Sequence, residues 1–305
     1  MALIRGHLHS DVTLLVETNE RILSNSGKQL RPMVALLVAR AIATPTSDSH
    51  CFAAAAELLH NATLIHDDVA DESQERRGKP TLSALLGAGP AVLVGDYWLA
   101  RAVDLVVDTV HRDAVIHSFA STLTDLAEGE MLQLEKASSC DTTEEDYLRI
   151  IHCKTGSLFR VAAEAAAISV DASAEQVEAA SAFGSALGIA FQIKDDILDY
   201  SGTDSLGKPV GVDLKEQKIT LPLLGALAGS PQEAEMRALV REIPQHPEYC
   251  DRIRSFVAER DGVGFAGRRL EEWVERAERA LDAFPDSLAR DYLVRIARYN
   301  QWRQV

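Results

Sequence analysis

The chain is predicted to be all-α, a single-domain helical bundle around a central cavity that takes in residues 1–305. Three observations predict this. Ala, Leu and Glu, strong helix formers, dominate the composition. Apolar residues recur at spacings of three and four along the whole length. No segment shows the apolar–polar alternation of a half-buried strand. With 305 residues, 47% of them hydrophobic, the chain can bury roughly 75% of its unfolded surface.

The elements follow in order. Residues 11–23 form a helix that ends at the turn Ser24-Asn25-Ser26-Gly27. Pro32 sits in the first turn of the next helix, which runs to about residue 43. After a Thr-Pro-Thr-Ser-Asp loop, residues 51–71 form a long helix that stops before Gly78-Lys79-Pro80. Helices over 90–110, 121–135, 143–168 and 174–200 come next. Residues 201–217, with three glycines and a proline, are the one extended loop. Helices over 220–228, 231–243, 250–259, 265–284 and 287–299 complete the bundle.

A net charge of −15 disfavours nonspecific contact with nucleic acid or anionic lipid. Cys51, Cys140, Cys153 and Cys250 lie far apart with no CxxC pair, as expected of reduced thiols in a cytoplasmic protein. No N-terminal apolar run preceded by basic residues suggests a secretory signal, and no unbroken apolar segment is long enough to span a bilayer.

Two apolar segments carry an unexpected load of acid. NATLIHDDVADE (61–72) and FQIKDDILDY (191–200) each contain Asp-Asp-x-x-Asp. Asp67 and Asp71 share a helix face, as do Asp195 and Asp199, with Asp68 and Asp196 about 100° round. Both clusters follow apolar runs toward the C-terminal end of a helix, where the dipole disfavours anions. Unneutralised carboxylates in such numbers repel one another. Hard divalent ions shared with a diphosphate would make the arrangement stable, because Mg²⁺ prefers oxygen donors and phosphate oxygens. Basic residues stand nearby: Lys28 and Arg31, expected on one helix face; Arg76 and Arg77; Lys154 beside Thr155; Lys208 and Lys218. Arg and Lys are the natural grips for diphosphate.

The segments GKQLRP, ELLHNATLIHDDVADESQERRGKPT, LVGDYWLARA, LAEGEMLQLE, KTGSLF, FQIKDDILDY and GKPVGVDLKEQKITLPLL occur in this order. In them the chain resembles the trans-type polyprenyl diphosphate synthases, over nearly its whole length, and most closely the octaprenyl and other long-chain synthases. The resemblance implies the isoprenoid synthase type of fold. It implies that Asp67, Asp68, Asp71, Asp195, Asp196 and Asp199 bind about three Mg²⁺, with Mn²⁺ as a substitute. It assigns the allylic diphosphate (farnesyl or geranyl) to Arg76, Lys154 and Lys208, and isopentenyl diphosphate to Lys28, Arg31, His60 and Arg77. Thr155 and Gln192 then lie over the reacting carbons, and Lys218 near the metal-bound end. The catalytic set is Asp67, Asp68, Asp71, Lys154, Thr155, Gln192, Asp195 and Lys208. His66 reads as a local structural partner.

The chain departs from the family pattern at Gln29, where a basic residue is usual. It departs again at Gly211-Val212-Asp213-Leu214, which lacks one carboxylate, and at Glu216-Gln217-Lys218, expected to stiffen the closing loop. Rival readings are a short-chain (farnesyl or geranylgeranyl) synthase, a class I terpene cyclase and a noncatalytic partner subunit. The second Asp-Asp-x-x-Asp and the Lys28/Arg31 pair speak against a cyclase, and two intact acidic motifs against an inactive subunit.

Product length is read from the residues before Asp67. Thr63, Ala62, Leu59 and Leu58 would face the growing chain, and no bulky aromatic stands at Thr63 or Ala62 to form a floor. Ala53 to Ala56 continue the small-residue surface, and from Asp67 back to Ala55 the helix spans roughly 18 Å at ~1.5 Å per residue. At about 4–5 Å per isoprene unit this offers room for about four units beyond the reacting one, and with the far end open the expected all-trans product is about C30 to C45. The helix over 90–110 is apolar on more than one side, which predicts a homodimer.

Overall fold

The computed structural model describes residues 1–24, 27–76, 78–201 and 211–303. Helices dominate: α1 (Ala2–His7), α2 (Thr13–Ser24), α3 (Leu30–Ile42), α4 (Ser47–Ala70), α5 (Leu82–Leu86), α6 (Ala88–Val107), α7 (Arg112–Ser139) and α8 (Glu144–Ile151). A π-helical turn, His152–Gly156, leads into α9 (Ser157–Ile168) and α10 (Ala174–Ser201). Then follow α11 (Val212–Lys215), α12 (Leu221–Leu227), α13 (Glu233–Glu242), α14 (Tyr249–Glu259), α15 (Gly262–Ala280) and α16 (Leu288–Trp302). None of the helices, over the described residues, is long and apolar enough to cross a membrane.

Three expectations are corrected. Residues 143–168 are not one uniform helix, because the π turn interrupts them. Strand structure is not wholly absent: β1 (Glu75–Arg76) and β2 (Lys79–Pro80) pair antiparallel. Lys28 and Arg31 do not share a helix face. Gln29 adopts a left-handed conformation (φ 50°) and α3 begins only at Leu30, so Lys28 lies before the helix. The short helices α1, α5 and α11 were not expected. Each has six residues or fewer, too short for a periodic pattern to register.

The chain forms two compact units. The first comprises Met1–Ala120, Val161–Ala180 and Phe284–Arg290. Its centre is α4, started by a capping box in which Thr46 and Ser49 satisfy each other's backbone N–H groups. Ala53, Ala54, Ala55 and Ala56 are buried, and their small side chains let α4 pack closely on α3 and α6. Trp98 of α6 donates its indole N–H to Asn19 (2.8 Å), whose amide donates to the Leu8 carbonyl (3.0 Å). That chain satisfies every polar group the large buried ring brings inside.

The second unit comprises Ser121–Arg160, Ser181–Ala283 and Asp291–Val305. Close approach here depends on glycine. A Cβ on Gly184 would lie 2.4 Å from the Phe159 carbonyl oxygen, and one on Gly188 would lie 2.7 Å from Gly156 Cα. The Gly184-x-x-x-Gly188 spacing therefore lays α10 directly against the π turn and the start of α9. Thr143 and Asp146 form a second capping box at the start of α8.

Candidate active site

In the first unit the acidic motif closes α4. Asp71 is the C-cap residue. The chain then turns at Glu72 (φ 50°) into the β1–β2 hairpin. Thr81 ties the base of that hairpin, donating through Oγ1 to the Ser73 carbonyl (2.7 Å) and through its N–H to that of Gln74 (3.0 Å). β1 carries Arg76 over the end of α4, where its Nε donates to Asp68 Oδ1 at 2.7 Å. Asp68 is buried. Burial pushes its carboxyl above the usual range, and Arg76 opposes the shift. Asp67 is half-buried and Asp71 exposed. His66 packs on α6, with Nε2 3.3 Å from the Val92 carbonyl and from Asp96 Oδ1. Gly95 provides the space, since a Cβ there would lie 2.2 Å from Nε2.

Lys28 is exposed, while Arg31 and His60 are half-buried. Leu58, Leu59 and Ala62 are fully buried, and half-buried Thr63 donates its hydroxyl to the His60 carbonyl (2.9 Å). Arg77 and Lys208 lie outside the described residues.

The second unit carries the other motif on α10, and each of its three aspartates has a separate partner. Asp196 is buried. Its Oδ2 accepts from the Tyr147 hydroxyl (2.6 Å) and its Oδ1 from the Gln192 amide (2.9 Å). Gln192 in turn accepts from the Thr155 hydroxyl through Oε1 (2.9 Å). Thr155, Gln192 and Asp196 thus form one chain of bonds, made possible by the close approach at Gly188. Asp199 caps α11, accepting from the backbone N–H groups of Val212 (3.0 Å) and Asp213 (3.2 Å). At Val212 it is the backbone N–H that serves Asp199. Asp195 accepts from Arg303 (2.8 Å). Lys154 forms an ion pair with Glu130. Lys218 pairs with Glu216 (2.5 Å), and its N–H donates to the Asp213 carbonyl (2.8 Å). The Gln217 amide donates to the Arg241 carbonyl (3.1 Å), which ties this turn to the end of α13.

Of these groups, Tyr147, Lys154, Gln192, Asp196, Asp213 and Lys218 line, together with Lys136, a cavity of about 190 Å³. Its electrostatics are strained. Burial, reinforced by Asp195 and Asp199, pushes Asp196 up to about 7, against the opposing bonds from Tyr147 and Gln192. Burial and the neighbouring Asp196 and Asp199 push Asp213 well up too. Among the described residues no three His, Cys, Asp or Glu groups converge as a finished metal cluster. The donor chemistry nevertheless fits a hard divalent ion. Each motif by itself offers carboxylate oxygens, and in the second unit Asp196, buried beside Asp195 and Asp199, is an acid that a cation would let ionise.

Sequence reasoning missed Tyr147, Glu130 and Arg303. Tyr147 had a weak signal, a polar-tipped residue on the apolar face of α8 with buried Ile150 and Ile151.

Residues 12–257 match the family model described as polyprenyl synthetase. The chain belongs to the polyprenyl synthetase family. As a member it is a prenyltransferase with the family's all-α fold. It is 40% identical to the all-trans-nonaprenyl-diphosphate synthase (geranyl-diphosphate specific) of Rhodobacter capsulatus, across 97% of this chain and 91% of the relative. It is 38% identical to the octaprenyl diphosphate synthase of Escherichia coli, across 97% and 92%. Among solved structures it is similar to a Caulobacter crescentus polyprenyl synthase complexed with calcium and isoprenyl diphosphate. There the TM-score is 0.90 and the identity 35%, over 100% of this chain and 93% of that one.

Proposed function

We propose that this polyprenyl synthetase is a Mg²⁺-dependent trans-prenyltransferase. It adds isopentenyl diphosphate to an allylic diphosphate (geranyl or farnesyl) and releases an all-trans polyprenyl diphosphate of about C30 to C45, on the helix-length argument above. The observation that carries this reading is the near full-length similarity to a nonaprenyl and an octaprenyl synthase.

Asp67, Asp68, Asp71, Asp195, Asp196 and Asp199 would hold about three Mg²⁺, for which Mn²⁺ is a substitute. The Caulobacter relative, complexed with calcium and isoprenyl diphosphate, supports a divalent-cation reading of these residues. When bound, the ions draw charge onto the leaving diphosphate. Arg76, Lys154 and Lys208 orient the allylic diphosphate, and Lys28, Arg31, His60 and Arg77 hold isopentenyl diphosphate. Lys218 stands near the metal-bound end. The Thr155–Gln192 pair faces the reacting carbons, and its bond to Asp196 fixes it relative to the second motif. Apolar walls exclude water from the allylic cation, and proximity of the double bond supplies much of the rate. The proton lost at the end passes to the departing diphosphate.

The protein acts as a cytoplasmic homodimer. The exposed Val92, Leu93, Val103 and Val107 of α6 support an interface between two copies. Incubating the purified chain alone with Mg²⁺, isopentenyl diphosphate and farnesyl diphosphate tests the reaction. Elongated diphosphates are expected. A hydrocarbon or alcohol would indicate a cyclase, and no turnover a partner subunit.

A further inference from the structure

The last described residue of the chain reaches the second acidic motif. Arg303 follows α16, and its side chain is only 4% exposed. Its Nη1 donates to Asp195 Oδ1 (2.8 Å), Nη2 to the Phe191 carbonyl (2.7 Å) and Nε to Asn300 Oδ1 (3.2 Å). The guanidinium carbon sits 4.2 Å from the centre of the Phe191 ring. In return, Lys194 on α10 donates to the Gln301 carbonyl (3.2 Å) at the end of α16.

A buried guanidinium is costly unless its donors are met. Here each of the three nitrogens donates once, to a carboxylate, a carbonyl and an amide oxygen, and an aromatic ring lies against the guanidinium. Phe191 and Asp195 are one helical turn apart, so the planar fork spans that turn and fixes the carboxylate against its own helix. A lysine in this place would reach one of the two acceptors, not both.

We propose that Arg303 is a positioning residue for prenyl transfer, a tethered cation that holds the leading carboxylate of the second motif in place and competes with divalent ions for its charge. The proposal rests on the reading of that motif as a Mg²⁺ site. A guanidinium in contact with a carboxylate weakens its attraction for a second cation. Removing it strengthens the attraction and frees the carboxylate to move.

The test is thermal unfolding of the metal-free protein, titrated with Mg²⁺ at a fixed concentration of inorganic diphosphate. R303M should reach half-maximal stabilisation at about 3- to 10-fold lower Mg²⁺ than the unaltered chain. Its kcat should fall while KM for isopentenyl diphosphate changes little. R303K should lie between the two, and the shift should vanish when D195N is compared with D195N/R303M. An unchanged Mg²⁺ midpoint with only a lower Tm would reduce Arg303 to an anchor for α16 and overturn the proposal. If R303M does not fold, R303K alone and on the D195N background carries the same comparison. A Mg²⁺ response in the unaltered chain with no shift in the variants defeats this inference only. No response in the unaltered chain defeats the metal-site reading as well.

Discussion

Asp196 shows how much the site costs the fold. Its carboxyl is pushed up to about 7 by burial and by Asp195 and Asp199, whereas the unfolded chain releases the same proton near pH 4. Between those values folding takes up a proton, so stability falls as pH rises, and above pH 7 the full cost is present. His111 acts in the same direction. Its bond to Asp48 (2.7 Å) raises its pKa, so its stabilisation is complete below the unfolded value near 6.5 and is lost as pH rises through the higher folded value. The metal-free protein should therefore melt at a lower temperature at pH 7.5 than at pH 5.5. D196N should flatten the slope, and Mg²⁺ with diphosphate should restore stability at pH 7.5. Melting curves in chelator across that range check the first two, and a slope unchanged in D196N would contradict the assignment. D67A should leave the fold intact and cut turnover by ~10²–10³, as steady-state rates and circular dichroism would show. At this scale the acid motifs were legible because carboxylates inside apolar runs are rare. Tyr147 and Arg303 were not, because they meet Asp196 and Asp195 across 49 and 108 residues and local pattern carries no such pairing.

Among the elements, the packing of α10 on the π turn decides whether Thr155 and Gln192 meet. G184A would drive a methyl group into the Phe159 carbonyl, a backbone atom that cannot step aside. It should cost about 1–3 kcal/mol and lower turnover with it. Gly267 of α15 is the control, because a Cβ there meets nothing within 4 Å. G267A should be neutral or stabilising by up to ~1 kcal/mol from helix propensity. Urea unfolding of both variants measures the contrast, and equal effects would remove the packing argument. Long helices such as α4, α6 and α10 were legible from periodicity within a few residues. The π turn was not, since its one-residue offset leaves the surrounding apolar spacing nearly intact. Nor was the left-handed Gln29, since the turn residues before it and the helical pattern after it leave open which residue starts α3. Residues 202–210 of the expected loop at 201–217 lie outside the described residues. At its far end α11 forms because Asp199 supplies the acceptor for its first N–H groups.

For the whole molecule, the exposed apolar residues of α6 predict a dimer, and light scattering at micromolar concentration should give about twice 33.2 kDa. A monomer would leave that face unexplained. The proposed product length rests on α4, where Ala62 is fully buried and Thr63 half-buried, with no aromatic ring at either place. A62F should shorten the product to about C15 or C20 while turnover survives, on the same helix-length argument. The most direct measurement is chromatography of the dephosphorylated products made by the unaltered chain from Mg²⁺, isopentenyl diphosphate and farnesyl diphosphate. The account predicts all-trans alcohols of about C30 to C45. Synthesis that stops at C15 or C20 would contradict it and place a floor in the product channel that α4 does not supply.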